Sequence, residues 1–220
     1  MRTLLLFDWN GTLIDDCRIL YQYGVCPIFE HYGLPAPILD EWRNEVSSNF
    51  MPFYEKYGVV GATAEELNRI MVEGLVRVGV EPPLFPDTRG MIEVLYRSGA
   101  NHVLAIVSGY QKAALSQALL THDIARFFHE VHGNVRDKAP LIRDFMARYG
   151  IPPERTVYIG DTADDAIAAH AAGVTPYICP RGFHGKERIE AIRSVVPTLV
   201  VIETLSELLT RLPERVGTIV

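Results

Sequence analysis

The sequence is short of cysteine, of basic charge and of long apolar runs, and each shortage argues against a class of protein. Its three cysteines, Cys17, Cys26 and Cys179, cannot all pair, and none forms a CxxC. Reduced thiols in a cytoplasmic protein are the expectation. Acidic residues outnumber basic ones, 27 to 21, for a net charge of −6, which argues against nucleic acid as a partner. No uninterrupted apolar stretch approaches the roughly 20 residues of a membrane span, so no membrane partner is expected. The N-terminal apolar run stops at Asp8, which argues against a signal peptide. Repeats and low-complexity segments are missing too. What remains is an ordinary globular composition: 220 residues, 48% hydrophobic and 22% charged, long enough to bury a substantial core.

One stretch organises the chain, Thr3-Leu4-Leu5-Leu6-Phe7-Asp8-Trp9-Asn10-Gly11-Thr12-Leu13-Ile14-Asp15-Asp16. Its apolar run is too short for a helix and reads as a strand buried on both faces. The strand stops at a carboxylate, Asp8, and Asn10-Gly11 turns the chain. In open α/β sheets ligands bind at the carboxyl ends of strands.

Residues 16–85 then show helical periodicity and no convincing strand. Asp16 can cap a helix through about Tyr32, kinked or split by Pro27. A second helix is predicted near Leu39–Ser47 and a short one over Phe53–Tyr57, joined by a polar loop that includes Ser48, Asn49 and Phe50. A third starts at a Thr63/Glu66 capping box, with Leu67, Ile70, Met71, Leu75 and Val78 on one face. From Pro86 onward strands alternate with helices. Strands are predicted at His102–Val107, His129–His132, Val157–Ile159, Pro176–Cys179 and Leu199–Ile202. The helices between and around them fall near Asp87–Ser98, Lys112–Leu120, Lys138–Tyr149 and Asp164–Ala172, with a last one behind a Thr204/Glu207 capping box. Such alternation implies an α/β fold with a parallel sheet covered on both faces. Residues 1–15 and 86–220 would build it, and 16–85 would form an inserted all-α lid.

Two later strands also end in polar residues, at Ser108-Gly109 and at Gly160-Asp161-Thr162-Ala163-Asp164-Asp165, and Lys138 opens a helix between them. In a parallel sheet Asp8, Ser108 and Asp161 gather at one edge. Carboxylates crowded there raise one another's pKa unless a cation intervenes. An all-oxygen ligand set with room for water suits Mg²⁺. A metal, a lysine and hydrogen-bond donors beside a nucleophilic carboxylate are what phosphoryl transfer needs.

In that order these motifs resemble the haloacid dehalogenase superfamily of hydrolases: Asp8-Trp9-Asn10-Gly11-Thr12 its first motif, Val107-Ser108-Gly109 its second, Lys138 its third and Gly160–Asp165 its fourth. The helical insert resembles the cap of the subgroup that contains phosphoglycolate phosphatase. Cys179-Pro180-Arg181-Gly182-Phe183-His184-Gly185 resembles a loop these enzymes carry after a late strand. The resemblance implies a Rossmann-like core and a phosphatase for a small phosphorylated metabolite, monomeric or homodimeric. It implies Asp8 as nucleophile through an aspartyl-phosphate, and Mg²⁺ held by Asp8, the Asn10 backbone carbonyl and Asp161, with Asp165 in support. Thr12, Ser108, Gly109 and Lys138 would bind the phosphoryl group. Ser48, Asn49 and Phe50, from their place in the one polar loop between cap helices, are expected to face the cleft and select substrate.

One residue departs from the pattern. Phosphatases of this family usually carry a second aspartate at the position of Asn10, which protonates the leaving oxygen and then activates water. General acid–base help is worth about 10²–10⁴ in rate. Three expectations follow: a phosphatase that is slow or uses another acid, His184 being the candidate; an enzyme for leaving groups that need little protonation, such as acyl phosphates; or a binding module for a phosphorylated ligand. Asn10→Asp is expected to fit without repacking. A fourth alternative is C–P cleavage. Phosphonoacetaldehyde hydrolase, in the same superfamily, has a Trp after its nucleophile, like Trp9, and uses a cap lysine. Lys56 is the one lysine of residues 16–85, and its Glu-Lys-Tyr context favours a plain surface role.

Overall fold

The structure is a computed structural model that describes residues 2–98 and 102–212. The end of the core span, 213–220, lies outside the described residues. Six strands form one parallel sheet in the order β3-β2-β1-β4-β5-β6: β1 (Leu4–Phe7), β2 (Val103–Val107), β3 (Glu130–His132), β4 (Thr156–Gly160), β5 (Thr175–Ile178) and β6 (Val200–Val201). The order reverses at β1/β4, and in open α/β sheets ligands bind at such a switch point, outside the carboxyl ends of the strands.

Apolar side chains alternate across β1. Leu5 and Phe7 pack beneath α6 (Thr88–Arg97), α7 (Lys112–Thr121) and α11 (Leu208–Arg211). Leu4 and Leu6 face α8 (Lys138–Tyr149) and α9 (Ala163–Ala171), meeting Ile142, Phe145 and Ala169. Burial on both faces is why the strands read as unbroken apolar runs. Fully burying one such side chain is worth about 1.5–3 kcal/mol. A short helix, α10 (Lys186–Ala191), has no sequence expectation behind it.

No strand of this sheet comes from residues 17–78. That interval holds α1 (Cys17–Leu20), a wider π-helical turn (Tyr21–Val25), α2 (Cys26–His31), α3 (Leu39–Glu45), α4 (Met51–Lys56) and α5 (Ala64–Val78). Pro27 lies in the first turn of α2, where its missing N–H does no harm. The helix through Tyr32 is split by a π turn directly before Pro27, one of the two outcomes expected of that proline. These helices bury their own cluster, including Phe29, Trp42, Phe53 and Leu67, and Phe183 joins it from the loop after β5. The chain leaves and re-enters the sheet through adjacent backbone: Ile14 bridges Leu84, the Asp15 amide donates to Pro83 O at 2.8 Å, and the Phe85 amide to Leu13 O at 3.1 Å.

Candidate active site

Phe7 lies level with Ile106 of β2 and Ile159 of β4, so the residues after these strands come to one edge. The Asp8 amide continues the ladder onto Ile159 O at 2.8 Å. The structure brings Asp8, Ser108 and Asp161 together as the parallel sheet requires, and all are buried. Carboxylate oxygens of Asp8, Asp161 and Asp165 lie within 4.8 Å of one another. Lys138, first residue of α8, puts Nζ 2.6 Å from Asp165 Oδ1 and 3.2 Å from Asp8 Oδ1.

Burial raises the Asp8 carboxyl above its ordinary range, with Lys138 pulling the other way. Burial raises Asp161 much further, and Asp165 and Asp8 add to the rise. Burial would raise Asp165 too, but Lys138 and the Thr162 hydrogen bonds outweigh it and hold it low. Lys138 stays well above the usual lysine range despite burial, because Asp165 and Asp8 face it. Asp165 and Lys138 therefore form a charged pair, and Asp8 and Asp161 are left short of positive charge. Three carboxylates against one ammonium leave two negative charges unbalanced, and Asp8 Oδ1 is buried without a hydrogen bond. These all-oxygen donors fit a hard divalent cation such as Mg²⁺.

Asp161 is fixed from two sides. The Thr12 hydroxyl donates to Oδ1 at 3.0 Å and the Phe183 amide to Oδ2 at 2.6 Å. The backbone closes in tightly: a Cβ on Gly11, whose φ is +67°, would lie 2.4 Å from Asp161 Oδ2, and one on Gly182 would lie 2.3 Å from Gly11 Cα. Arg181 ties this loop down, donating to Thr12 O at 2.8 Å and Asp87 Oδ1 at 2.7 Å over the Phe85 ring. Ser108 Oγ accepts from the Tyr110 amide at 3.2 Å, and its hydroxyl lowers Asp8 by hydrogen bonding. Gly109 beside it is exposed.

Asp16 is not the helix cap that the sequence predicts. It stands at the start of α1 but makes no cap bond. Its Oδ1 accepts the Gly11 amide at 3.0 Å and its Oδ2 accepts the Asn10 side-chain amide. Burial pushes its carboxyl up to about 6, against the pull of these bonds. Asn10→Asp would therefore set two carboxylates against each other, contrary to the expectation that it fits freely.

His184 is not free to act as an acid. Nδ1 accepts the Ala163 amide at 2.9 Å, Nε2 donates to Val46 O at 2.8 Å, and burial lowers its pKa. The ring is a neutral strut between α9 and the α3–α4 loop. Lys56 is exposed and paired with Glu45, whose hydrogen bond raises its pKa, the opposite of the lowering that activates a Schiff-base lysine. Trp9 is buried in the core. Asn49 is exposed in its loop, where the Ser48 amide donates to Asp164 Oδ2 at 2.6 Å.

Sequence reasoning missed the Phe183 amide, the Arg181 anchor and the Asp16 clamp. The Asp15-Asp16 doublet was visible, but its partner is set by the turn at Asn10-Gly11, not by helix periodicity.

A family model described as haloacid dehalogenase-like hydrolase matches residues 5–178. The chain is 30% identical over 195 residues to a phosphoglycolate phosphatase of Haemophilus influenzae (strain 86-028NP), covering 77% of this chain and 82% of that protein. It is 24% identical over 220 residues to phosphoglycolate phosphatase 1 of Pseudomonas aeruginosa, covering 94% and 78%. Its fold is similar to a haloacid dehalogenase-like family hydrolase from Streptococcus pneumoniae, with a TM-score of 0.73, 21% identity and coverage of 94% and 97%.

Proposed function

The chain belongs to the haloacid dehalogenase-like hydrolases, and from that membership we propose that it is a Mg²⁺-dependent cytoplasmic phosphatase for a small phosphorylated metabolite, with Asp8 as nucleophile. The observation that carries this reading is the buried group of Asp8, Asp161 and Asp165 around the Lys138 ammonium. Mg²⁺ would be held by Asp8, Asp161 and the Asn10 backbone carbonyl, with Asp165 in support. When bound it would offset charge on the phosphoryl oxygens.

In this reading the Asp8 carboxylate attacks phosphorus, the bond to the leaving oxygen breaks with its electron pair going to that oxygen, and an aspartyl-phosphate forms. Water then attacks the same phosphorus, the bond to Asp8 breaks to restore its carboxylate, and inorganic phosphate leaves carrying the water's oxygen and its protons. Lys138, Ser108 and the Gly109 amide bind the phosphoryl oxygens. Thr12 keeps Asp161 oriented. Residues 16–85 act as the cap that excludes water, with Asn49 facing substrate. Relatives named phosphoglycolate phosphatase support a small phosphorylated acid as the substrate class. The exposed Lys56, held in an ion pair with Glu45, counts against C–P cleavage. A second reading, a binding module with little turnover, is favoured by one observation: the residue two after Asp8 is an amide whose N–H is engaged by Asp16.

The test is a Mg²⁺-dependent hydrolysis screen over phosphate esters, acyl phosphates and phosphonoacetaldehyde, beside calorimetry of Mg²⁺ binding. Asp161→Ala is expected to abolish both Mg²⁺ binding and hydrolysis. Unchanged activity in that variant overturns the assignment. Mg²⁺ binding without turnover of any substrate by the native protein favours the binding module.

A further inference from the structure

Asp16 is almost fully buried, and no cation among the described residues pairs with it. Its carboxylate meets instead two consecutive donors at the turn after the nucleophile, the Asn10 side-chain amide and the Gly11 backbone amide. A buried carboxylate without a counter-charge is expensive, and one that accepts several hydrogen bonds recovers part of that cost. A carboxylate can only accept, so the Asn10 amide must turn its NH₂ toward Asp16 and its carbonyl Oδ1 away.

We propose that Asp16 is a positioning residue for phosphoryl transfer: by clamping the Asn10 NH₂ it fixes Asn10 Oδ1 as a hydrogen-bond acceptor beside Asp8. This deepens the phosphatase reading and rests on it. An acceptor at this position aligns the attacking water, which donates one hydrogen bond to Oδ1. It delivers no proton to a departing oxygen. The substrates that suit it are phosphates whose leaving group departs unprotonated, acyl phosphates above all. Alkyl phosphates, whose leaving alkoxide needs a proton, suit it poorly.

The clamp predicts what each partner tolerates. In Asp16→Asn the new amide accepts from Gly11 through its oxygen and donates through its nitrogen. Asn10 must then flip, present Oδ1 to residue 16 and turn its NH₂ away. In the double variant Asn10→Asp/Asp16→Asn the bond is restored with its polarity reversed, and position 10 carries both an acceptor and an acid. Asn10→Asp alone opposes two carboxylates and is expected to fold poorly, so nothing rests on it.

The experiment uses the full-length chain, native and in these two variants. Side-chain amide NMR reads the clamp. Steady-state kinetics with Mg²⁺ on acetyl phosphate and glycerol 3-phosphate read its effect on the reaction. In the native protein one Asn NH₂ proton is expected far downfield, bonded to a carboxylate, and Asp16→Asn is expected to remove that signal. The same variant should lower kcat for acetyl phosphate about 10-fold or more with KM little changed, the scale of a lost general-catalytic contact. The double variant should regain acetyl phosphate turnover and raise the alkyl-to-acyl ratio of kcat/KM about 10-fold or more. A merely structural clamp would move both substrates together and leave that ratio alone. Three results overturn the proposal: no displaced amide signal, an unchanged kcat in Asp16→Asn, or a double variant as inactive as Asp16→Asn while both still bind Mg²⁺. Absence of turnover in all three proteins, with the amide signal where the clamp puts it, instead overturns the phosphatase reading and the catalytic half of this inference with it.

Discussion

Glu130 anchors the edge of the sheet by charge. It accepts from both terminal nitrogens of Arg148, at 2.6 and 3.1 Å, and from the Tyr149 hydroxyl at 2.6 Å. The Arg148 bonds, against a smaller effect of burial, hold its carboxyl at about 2, well below the usual 4.5. The folded state thus binds this proton less tightly than the unfolded chain. Its stabilisation is fully present above pH 4.5 and is lost as pH falls through about 2. Glu130→Gln should therefore melt lower than the native protein, with the gap widest above pH 4.5 and closing toward pH 2. Thermal melts across that range check it, and a pH-independent gap would refute it. Legibility in the sequence follows the same logic of partners. Asp8, Asp161 and Lys138 could be read because each directly follows a strand or opens a helix. Asp16 and His184 could not, since the groups that fix them, the Asn10 amide and the Val46 carbonyl, are brought to them only by the folded turn and loop.

Among the elements, α5 comes against the π turn at Gly74. Pro27 has no N–H to offer the Tyr23 carbonyl, and a Cβ on Gly74 would lie 1.9 Å from that oxygen. In an isolated helix alanine is better than glycine by about 1 kcal/mol. Overpacking of about 1–3 kcal/mol or more outweighs that gain here. Gly74→Ala should lower stability in urea titrations. Gly90 in α6 is the control, because a Cβ there meets nothing within 4 Å. Gly90→Ala should raise stability, by about 0.4–1 kcal/mol. The same sign for both would show that contact with Tyr23 does not set the packing of α5. Helix α8 was legible to the residue because Lys138 opens it and Gly150, with φ +61°, closes it. Helix α10 was not, since it is 6 residues long and buries only Ile189, too few apolar positions to show a helical period.

Across the whole molecule, the α3–α4 region rests on the loop after β5. Arg43 Nε donates to Phe183 O at 2.9 Å, the Gly185 amide to Asn44 Oδ1 at 2.9 Å, and Trp42 meets Phe183 edge-on with centroids 5.4 Å apart. Asn49 hangs from this seam, next to the Ser48 amide that binds Asp164. Asn49→Ala is expected to change kcat/KM for phosphoglycolate and acetyl phosphate by different factors. Steady-state assays of both measure it, and equal factors would remove Asn49 from substrate choice. The parallel sheet and its helices other than α10 were legible from alternation. This seam was not, because Phe183 belongs to one part of the sequence and packs in the cluster of another.

The Ile14–Leu84 bridge gives the chain the topology of a stem with a branch. Both ends of the branch leave from one clasp of two hydrogen bonds, Asp15 N–H to Pro83 O and Phe85 N–H to Leu13 O, with Ile14 and Leu84 facing each other between them. Closing the stem over a longer or shorter branch changes the entropy only logarithmically, by about 0.6 kcal/mol per doubling of length. A branch of another length therefore costs the stem little in closure entropy, and what the stem stands to lose is its contacts with the branch at Phe183, His184 and Gly185. A branch of different length fits the same stem wherever it rebuilds the contact with Phe183.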